Sequence, residues 1–166
     1  AQQEIMAVLA ADLPELIAQF QASRKAEGAA LHRILADSLT QMELLIAQAQ
    51  DSLTGRAENF EDNFKAALAR LKQDIEPERL AQEMAILAVK SDVTEEIDRL
   101  QAHIAAARAL LASDLPSGRK FDFLMQEFNR EANTLCSKSG SAALTAIGLE
   151  MKVLIDQMRE QVQNVE

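Results

Sequence analysis

The 166-residue sequence has no tryptophan, no tyrosine, 5 glycines and 3 prolines. Few residues are therefore available for the tight turns and aromatic cross-strand pairs that β-rich folds use. Alanine, leucine, glutamine, glutamate, lysine and arginine dominate instead, and this composition is typical of long helices and bundles. We predict an all-α protein whose long amphipathic helices pack as helical hairpins or as a bundle.

Cysteine and long apolar runs are also scarce. The single Cys136 excludes an intramolecular disulfide framework, and no Cys/His spacing predicts a structural zinc site. No apolar run reaches the ~18–20 residues that cross a bilayer, and the first residues do not resemble a signal peptide. These absences predict a soluble protein of the reducing cytoplasm with no membrane partner.

The charge is unbalanced. The 26 acidic and 17 basic residues give a formal net charge of −9. A chain with this charge repels polyanions at long range, so any nucleic-acid site must be a local basic patch.

The first part of the chain carries one helical pattern of apolar residues after Pro14, which suits a first helical turn. Residues 14–75 form either one very long helix or two helices that meet near Gly55. Gly28, inside the pattern, is either a tolerated glycine or a place where another backbone approaches closely. We predict a long, coiled-coil-like arm over residues 1–76 and a C-terminal helical domain over residues 77–166, where Pro77 begins a short helix that buries Leu80, Met84 and Leu87.

Another helix is predicted after residue 92. Asp92, Glu96, Arg99 and His103 recur at i, i+4, i+7 and i+11, so they share one side of this helix. Such a stripe could bind a divalent metal or pass protons, or it could be exposed ion pairs worth ~0–1 kcal/mol each. Asp92 and Glu95 also have the spacing of a capping box, which gives both acids a structural explanation.

Residues 118–139, GRKFDFLMQEFNREANTLCSKS, form the most unusual stretch. One helical side is an ordinary core face, and the other side carries amides and acids. The core face consists of Phe121, Leu124, Met125, Phe128, Ala132 and Leu135, and the polar stripe consists of Asp122, Gln126, Asn129 and Asn133. Asparagine is a poor helix former, so this stripe needs a reason. The amides could contact a bound ligand or could join two helices, and we favour the joining role.

These blocks are similar to a known family. Residues 79–166 resemble the C-terminal domain of the YicC/YloC family of bacterial endoribonucleases, on the blocks 79–83, 92–100 with His103, 118–139, 150–152 and 158–166. Residues 24–31, with their Glu–Gly pair, are similar to the helical middle region of that family. Nothing here resembles the family's further N-terminal domain, so we expect the chain to be roughly the C-terminal half of its parent.

The resemblance implies an RNA substrate, endonucleolytic cleavage aided by a divalent metal, and ring-like homo-oligomers such as hexamers. Carried over residue by residue, one family motif falls on Asp92, Glu95, Glu96, Arg99 and His103. The other falls on Asp122, Gln126, Glu127, Asn129, Arg130, Glu131, Asn133, Ser137 and Lys138.

Our hypothesis is therefore metal-assisted phosphodiester cleavage of RNA. We expect His103, Glu96, Glu95 and Glu127 to be catalytic, and Asp92, Glu96 and His103 to bind Mn²⁺ or Mg²⁺. The expected RNA-binding residues are Arg99, Arg119, Lys120, Arg130, Asn133, Ser137 and Lys138. Two alternatives stay open: His103 acting as a general base on a 2′-hydroxyl without metal, and a non-enzymatic helical oligomerisation or adaptor module.

Overall fold

The structure is a computed structural model, and it describes residues 2–53, 66, 76–113 and 115–163. The helices with described bounds are α1 (Gln2–Leu53), α2 (Pro77–Lys90), α3 (Thr94–Leu111), α4 (Gly118–Lys138) and α5 (Ala142–Val162). The described ranges contain no strand, so the predicted all-α fold is confirmed. None of the described helices combines the length and the apolar character that a membrane span requires.

Four of these helices enclose one core. α1 packs against α3 and α5, and α4 packs against the same two helices, so each has two neighbours, as in a four-helix bundle. The predicted core face of α4 is buried at all six positions. Apolar periodicity alone fixed this face, because side chains spaced by three and four residues share one side of a helix.

Only the second half of α1 belongs to this bundle. Leu35, Leu39, Met42, Ile46 and Ala49 are buried in the same core as residues of α3, α4 and α5. The core therefore includes residues from both sides of the predicted boundary at residue 76. The predicted meeting of two helices near residue 55 lies outside the described residues.

The first half of α1 extends beyond the bundle. The helix begins at Gln2 and continues through Pro14, so this proline lies inside the helix rather than in its first turn. Every side chain described between residues 2 and 30 is exposed. Seven large apolar residues are among them: Met6, Val8, Leu9, Leu13, Leu16, Ile17 and Phe20.

The starts of α2 and α3 differ in part from expectation. α2 begins at Pro77 as predicted, but its apolar residues Leu80, Met84 and Leu87 are only half-buried rather than buried. At α3 the N-cap is Val93 and no side chain caps the helix. The predicted capping box is absent there because Asp92 Oδ1 accepts a hydrogen bond from the N–H of Thr94, at 2.9 Å, instead of capping the helix from the N-cap position.

The turn between α4 and α5 brings these two helices close together. Gly140 has φ 55°, a left-handed conformation that glycine adopts without a steric penalty. Ser141 then caps α5, because its Oγ accepts a hydrogen bond from the N–H of Leu144 at 3.2 Å. A Cβ atom on Gly148 would lie 2.4 Å from Cys136 Sγ, so the lack of a side chain at this position lets α5 approach α4 closely. This turn holds the C-terminal end of α4 against the bundle.

Candidate functional site

The facing sides of α3 and α4 bring one histidine and two glutamates together. His103 lies on α3, and Glu127 and Glu131 lie one turn apart on α4. One ligand atom from each residue lies within 4.8 Å of the other two. An imidazole nitrogen and two carboxylate oxygens at this spacing can hold a divalent cation.

The histidine in this group has an unsatisfied nitrogen. Nε2 of His103 is buried and has no hydrogen-bond partner in the described part of the chain. Its ring meets Phe128 edge to face, with centroids 5.6 Å apart and planes at 71°. A buried polar atom without a partner is costly, so this nitrogen fits a role as a ligand for a cation.

Glu131 is both a candidate ligand and an ion-pair partner. It is only 3% exposed, and its Oε1 lies 3.5 Å from Nη1 of Arg99. Arg99 is half-exposed and also pairs with Glu95 one turn earlier on α3. The guanidinium thus offsets the charge of a carboxylate that would be costly to bury alone.

Glu96 belongs to a different ion pair. Its Oε1 accepts a hydrogen bond from Nζ of Lys138 at 2.8 Å, and its Oε2 has no hydrogen-bond partner among the described residues. This hydrogen bond, opposed by partial burial and aided by the nearby acidic charges, raises the pKa of Lys138 above its ordinary value. The pair joins the first turn of α3 to the last turn of α4.

The structure brings only part of the predicted metal set together. Of Asp92, Glu96 and His103, only His103 lies in the group described above. Glu96 lies about 10.5 Å before His103 along the axis of α3, at 1.5 Å per residue, and Asp92 precedes the N-cap of this helix. Among the predicted catalytic residues, Glu127 lies with His103, whereas the exposed Glu95 pairs with Arg99.

Sequence reasoning did not include Glu131 among the predicted ligands. It lay in the family motif, and its spacing of four residues from Glu127 places both carboxylates on one side of the helix. That spacing was the pattern that could have identified it.

Six of the seven predicted RNA-binding residues are spread along α4, and the seventh, Arg99, lies on α3. Arg119 and Lys120 are exposed in the first turn, Arg130 is exposed near the middle, and Lys138 is half-buried at the end. The distance along the axis from Arg119 to Lys138 is roughly 28 Å at 1.5 Å per residue. These cations line the helix and do not converge on one point.

The amides of α4 bond within their own helix. Gln126 donates to Asp122 at 2.9 Å, and Asn133 donates to Asn129 at 2.7 Å. Gln126 and Asn133 are exposed, so the expectation that these amides join two helices is wrong. Ser137 is also exposed, and its Oγ donates to the carbonyl of Thr134 at 2.8 Å.

The sequence matches the family described as "Endoribonuclease YicC-like, C-terminal" over residues 46–166. The chain belongs to this YicC-like family. It is 37% identical over 170 aligned positions to a protein of Haemophilus influenzae named "Probable endoribonuclease YicC". This alignment covers all of this chain and 59% of that relative. It is 36% identical over 146 positions to a protein of the same name from Clostridioides difficile, covering 86% of this chain and 50% of that relative.

The family match confirms the resemblance that the sequence predicted. The chain spans between half and three fifths of the length of these two relatives. The matched region begins at residue 46, so it contains α2 to α5 and the whole His103, Glu127 and Glu131 group. The candidate site therefore lies within the part that this chain shares with other YicC-like proteins.

Proposed function

We propose that this chain carries the catalytic centre of a metal-assisted endoribonuclease, which cuts phosphodiester bonds within RNA. Both relatives are named "Probable endoribonuclease YicC", and this name supports cleavage within RNA as the class of reaction. The observation that carries the proposal is the convergence of His103, Glu127 and Glu131 from two helices, with a buried Nε2 that lacks a hydrogen-bond partner.

The donor set fits a divalent cation of the Mn²⁺ or Mg²⁺ type. Two carboxylates suit either ion, and the imidazole favours Mn²⁺ over Mg²⁺. When bound, such an ion polarises a phosphate and lowers the pKa of a coordinated water. The residues that would hold it are His103, Glu127 and Glu131. In this proposed set, Glu127 and Glu131 take the place of the expected ligands Asp92 and Glu96.

The residues around this group have separate tasks in the proposal. Arg99, half-exposed beside Glu131, can contact an RNA phosphate next to the metal-binding group. Glu127 is half-exposed, so its carboxylate can face both the ion and a proton that leaves the attacking water. Glu96 acts indirectly by holding Lys138 at the end of α4.

The burial of His103 Nε2 favours the metal-assisted route over the metal-free one. A general base must come within hydrogen-bond distance of the ribose 2′-hydroxyl. Nε2 is buried, so a ribose cannot reach it without rearrangement of α3 and α4, whereas the three residues offer ligand atoms within 4.8 Å of one another to a single ion.

A second candidate function, helical assembly, rests on the first half of α1. Met6, Leu9, Leu13, Leu16 and Phe20 are exposed and alternate at spacings of three and four residues. This is the pattern of a coiled-coil seam. This part of α1 could join copies of the chain into the ring-like oligomers that the family resemblance implies. Such self-association is compatible with the ribonuclease proposal, and it would also serve a non-enzymatic scaffold.

Metal binding and RNA cleavage by three variants test the proposal. Mn²⁺ binding is measured by calorimetry, and cleavage of an end-labelled RNA is measured with Mn²⁺ or with chelator. We expect His103→Ala and Glu127→Gln to lose both Mn²⁺ binding and cleavage. Asp98→Asn, which removes an exposed carboxylate from the same helix α3, should keep both.

Unchanged Mn²⁺ binding in both site variants would overturn the ligand assignment. Cleavage that continues in chelator and leaves 2′,3′-cyclic phosphate ends would support the metal-free mechanism instead. A folded chain that neither binds Mn²⁺ nor cuts RNA would favour the assembly function.

A further inference from the structure

One phenylalanine of α4 lies on the surface beside the candidate metal centre. Phe121 and Phe128 of this helix are 2% and 0% exposed, whereas Phe123 is 60% exposed. The core of α4 does not use this ring, so packing within the described chain does not explain it.

The exposed ring shares one side of α4 with basic residues and with a metal-ligand candidate. At 100° per residue, Arg119, Lys120, Glu127 and Arg130 all lie within about 60° of Phe123 around the helix axis. Glu127 follows one turn later, and the Cβ atoms of such i, i+4 pairs are about 5–6 Å apart. The three basic residues are exposed, so one side of α4 carries an aromatic ring, three cations and Glu127, which belongs to the group of His103, Glu127 and Glu131.

We propose that Phe123 is the platform on which an unpaired RNA base stacks. Arg119, Lys120 and Arg130 would contact the phosphates on either side of that base, and the stacked nucleotide would place a neighbouring phosphate near Glu127. This inference rests on the proposed ribonuclease function and deepens it by naming the substrate class.

The substrate class that follows is single-stranded RNA. Proteins bind unpaired nucleotides by stacking their bases on exposed aromatic rings between cationic side chains. Bases inside an A-form duplex are already stacked on each other and cannot cover a protein ring. The positive side of α4 also meets the requirement for a local basic patch on a chain of net charge −9.

The absence of tryptophan and tyrosine makes a direct test available. The variant Phe123→Trp carries a single tryptophan, whose emission reports base stacking. The chain is titrated with a single-stranded oligoribonucleotide and with a duplex of the same sequence, both in chelator so that no metal-dependent cleavage occurs. We expect saturable quenching by the single strand, much weaker quenching by the duplex, and weaker affinity at high salt.

Phe20→Trp is the matched control. Phe20 is 61% exposed and also lies beside an arginine, with the guanidinium of Arg24 5.9 Å from the ring centroid. It lies on α1 and lines a cavity with Ser117 and Phe121 near the start of α4, and no residue of the metal-ligand group lines that cavity. We expect no saturable quenching of this tryptophan, and equal quenching at the two positions would overturn the proposal.

Binding by Phe123→Ala provides the second measurement. We expect affinity for the single strand to fall by between about 5-fold and 150-fold, the range that loss of one base–aromatic stack produces. Phe123→Tyr should retain most of the affinity, and Mn²⁺ binding should be unchanged in both variants. Wild-type affinity in Phe123→Ala would overturn the stacking role. The role would also be overturned if the emission of Phe123→Trp, measured without RNA, changed with protein concentration. That result would assign the ring to a contact between copies of the chain.

The two proposals fail in different ways. A chain that cuts RNA while Phe123→Ala binds normally retains the ribonuclease function and excludes the stacking platform. A chain that cuts no RNA while Phe123→Ala weakens single-strand binding retains the platform and excludes the catalytic assignment.

Discussion

Glu96 and Lys138 lie 42 residues apart in the sequence, and their side chains meet at 2.8 Å across the α3–α4 contact. The two partners differ in exposure, because the side chain of Glu96 is 3% exposed and that of Lys138 is 33% exposed. If the pair is broken, the lysine can turn into solvent, but the glutamate cannot. The loss of stability should therefore depend on which of the two partners is removed.

We predict that Lys138→Met destabilises the chain more than Glu96→Met. The first variant leaves a buried carboxylate without its cation, whereas the second leaves an ammonium that can become solvated. The double variant should recover most of the loss in Lys138→Met, because two apolar side chains can fill the space of the pair. Urea unfolding of the four proteins measures the order, and equal losses in the two single variants would contradict it.

The same pair predicts a loss of stability at alkaline pH. The folded-state pKa of Lys138 is raised by the hydrogen bond to Glu96 above the unfolded value, which is about 10.4 for lysine. A raised folded pKa gives stability that is fully present below the unfolded value and is lost as pH rises through the folded value.

Unfolding free energies measured across pH 9 to 11.5 check this sign. The difference between the wild-type chain and Lys138→Met should be largest at the lower end of this range and should narrow toward the upper end. A difference that stays constant across the range would show that protonation of Lys138 does not stabilise the fold.

Two helical glycines should respond in opposite directions to alanine. A Cβ on Gly148 would lie 2.4 Å from Cys136 Sγ and 3.1 Å from Leu135 Cδ2, whereas nothing lies within 4 Å of one on Gly28. Overpacking should cost Gly148→Ala about 1–3 kcal/mol, partly offset by helix propensity. Gly28→Ala should gain about 0.5–1 kcal/mol.

Thermal or urea unfolding of both glycine variants gives the comparison. Adding Cys136→Ala to Gly148→Ala should restore part of the loss, because the sulfur is the nearest obstacle. A loss of stability in Gly28→Ala would indicate instead that another molecule approaches α1 at this glycine.

Arg99 should lower the affinity of the proposed site for metal. Its guanidinium lies 3.5 Å from Glu131, so it stabilises the carboxylate without an ion and repels an incoming cation. We predict that Arg99→Gln binds Mn²⁺ about 10-fold more tightly, equivalent to about 1.4 kcal/mol. The same variant should be less stable in chelator, because Glu131 is then buried without its cation.

Calorimetric titration with Mn²⁺ and melting in chelator provide the two measurements for Arg99→Gln. Arg119→Gln is the control, because it removes the same charge from an exposed position in the first turn of α4. Weaker Mn²⁺ binding in Arg99→Gln would show that the guanidinium supports the site.

Periodic features of the sequence predicted much of the fold. The core face of α4 and the start of α2 at Pro77 both depend on spacing or backbone chemistry within a few residues. The half-burial of Leu80, Met84 and Leu87 was not predictable in this way, because an apolar stripe is buried only where a partner covers it. In α1, likewise, the apolar residues of the first half are exposed and those of the second half are buried, because the bundle covers only the second half.

The amino-acid sequence by itself determined the helices, the core face of α4, and membership of the YicC-like family through residues 46–166. It also identified His103 and Glu127 as candidates for the site. Only the tertiary structure decided that Glu131 completes their group and that Glu96 pairs with Lys138. The physical reason is that these contacts depend on the relative position of α3 and α4, whereas residue spacing fixes only which side chains share a face of one helix.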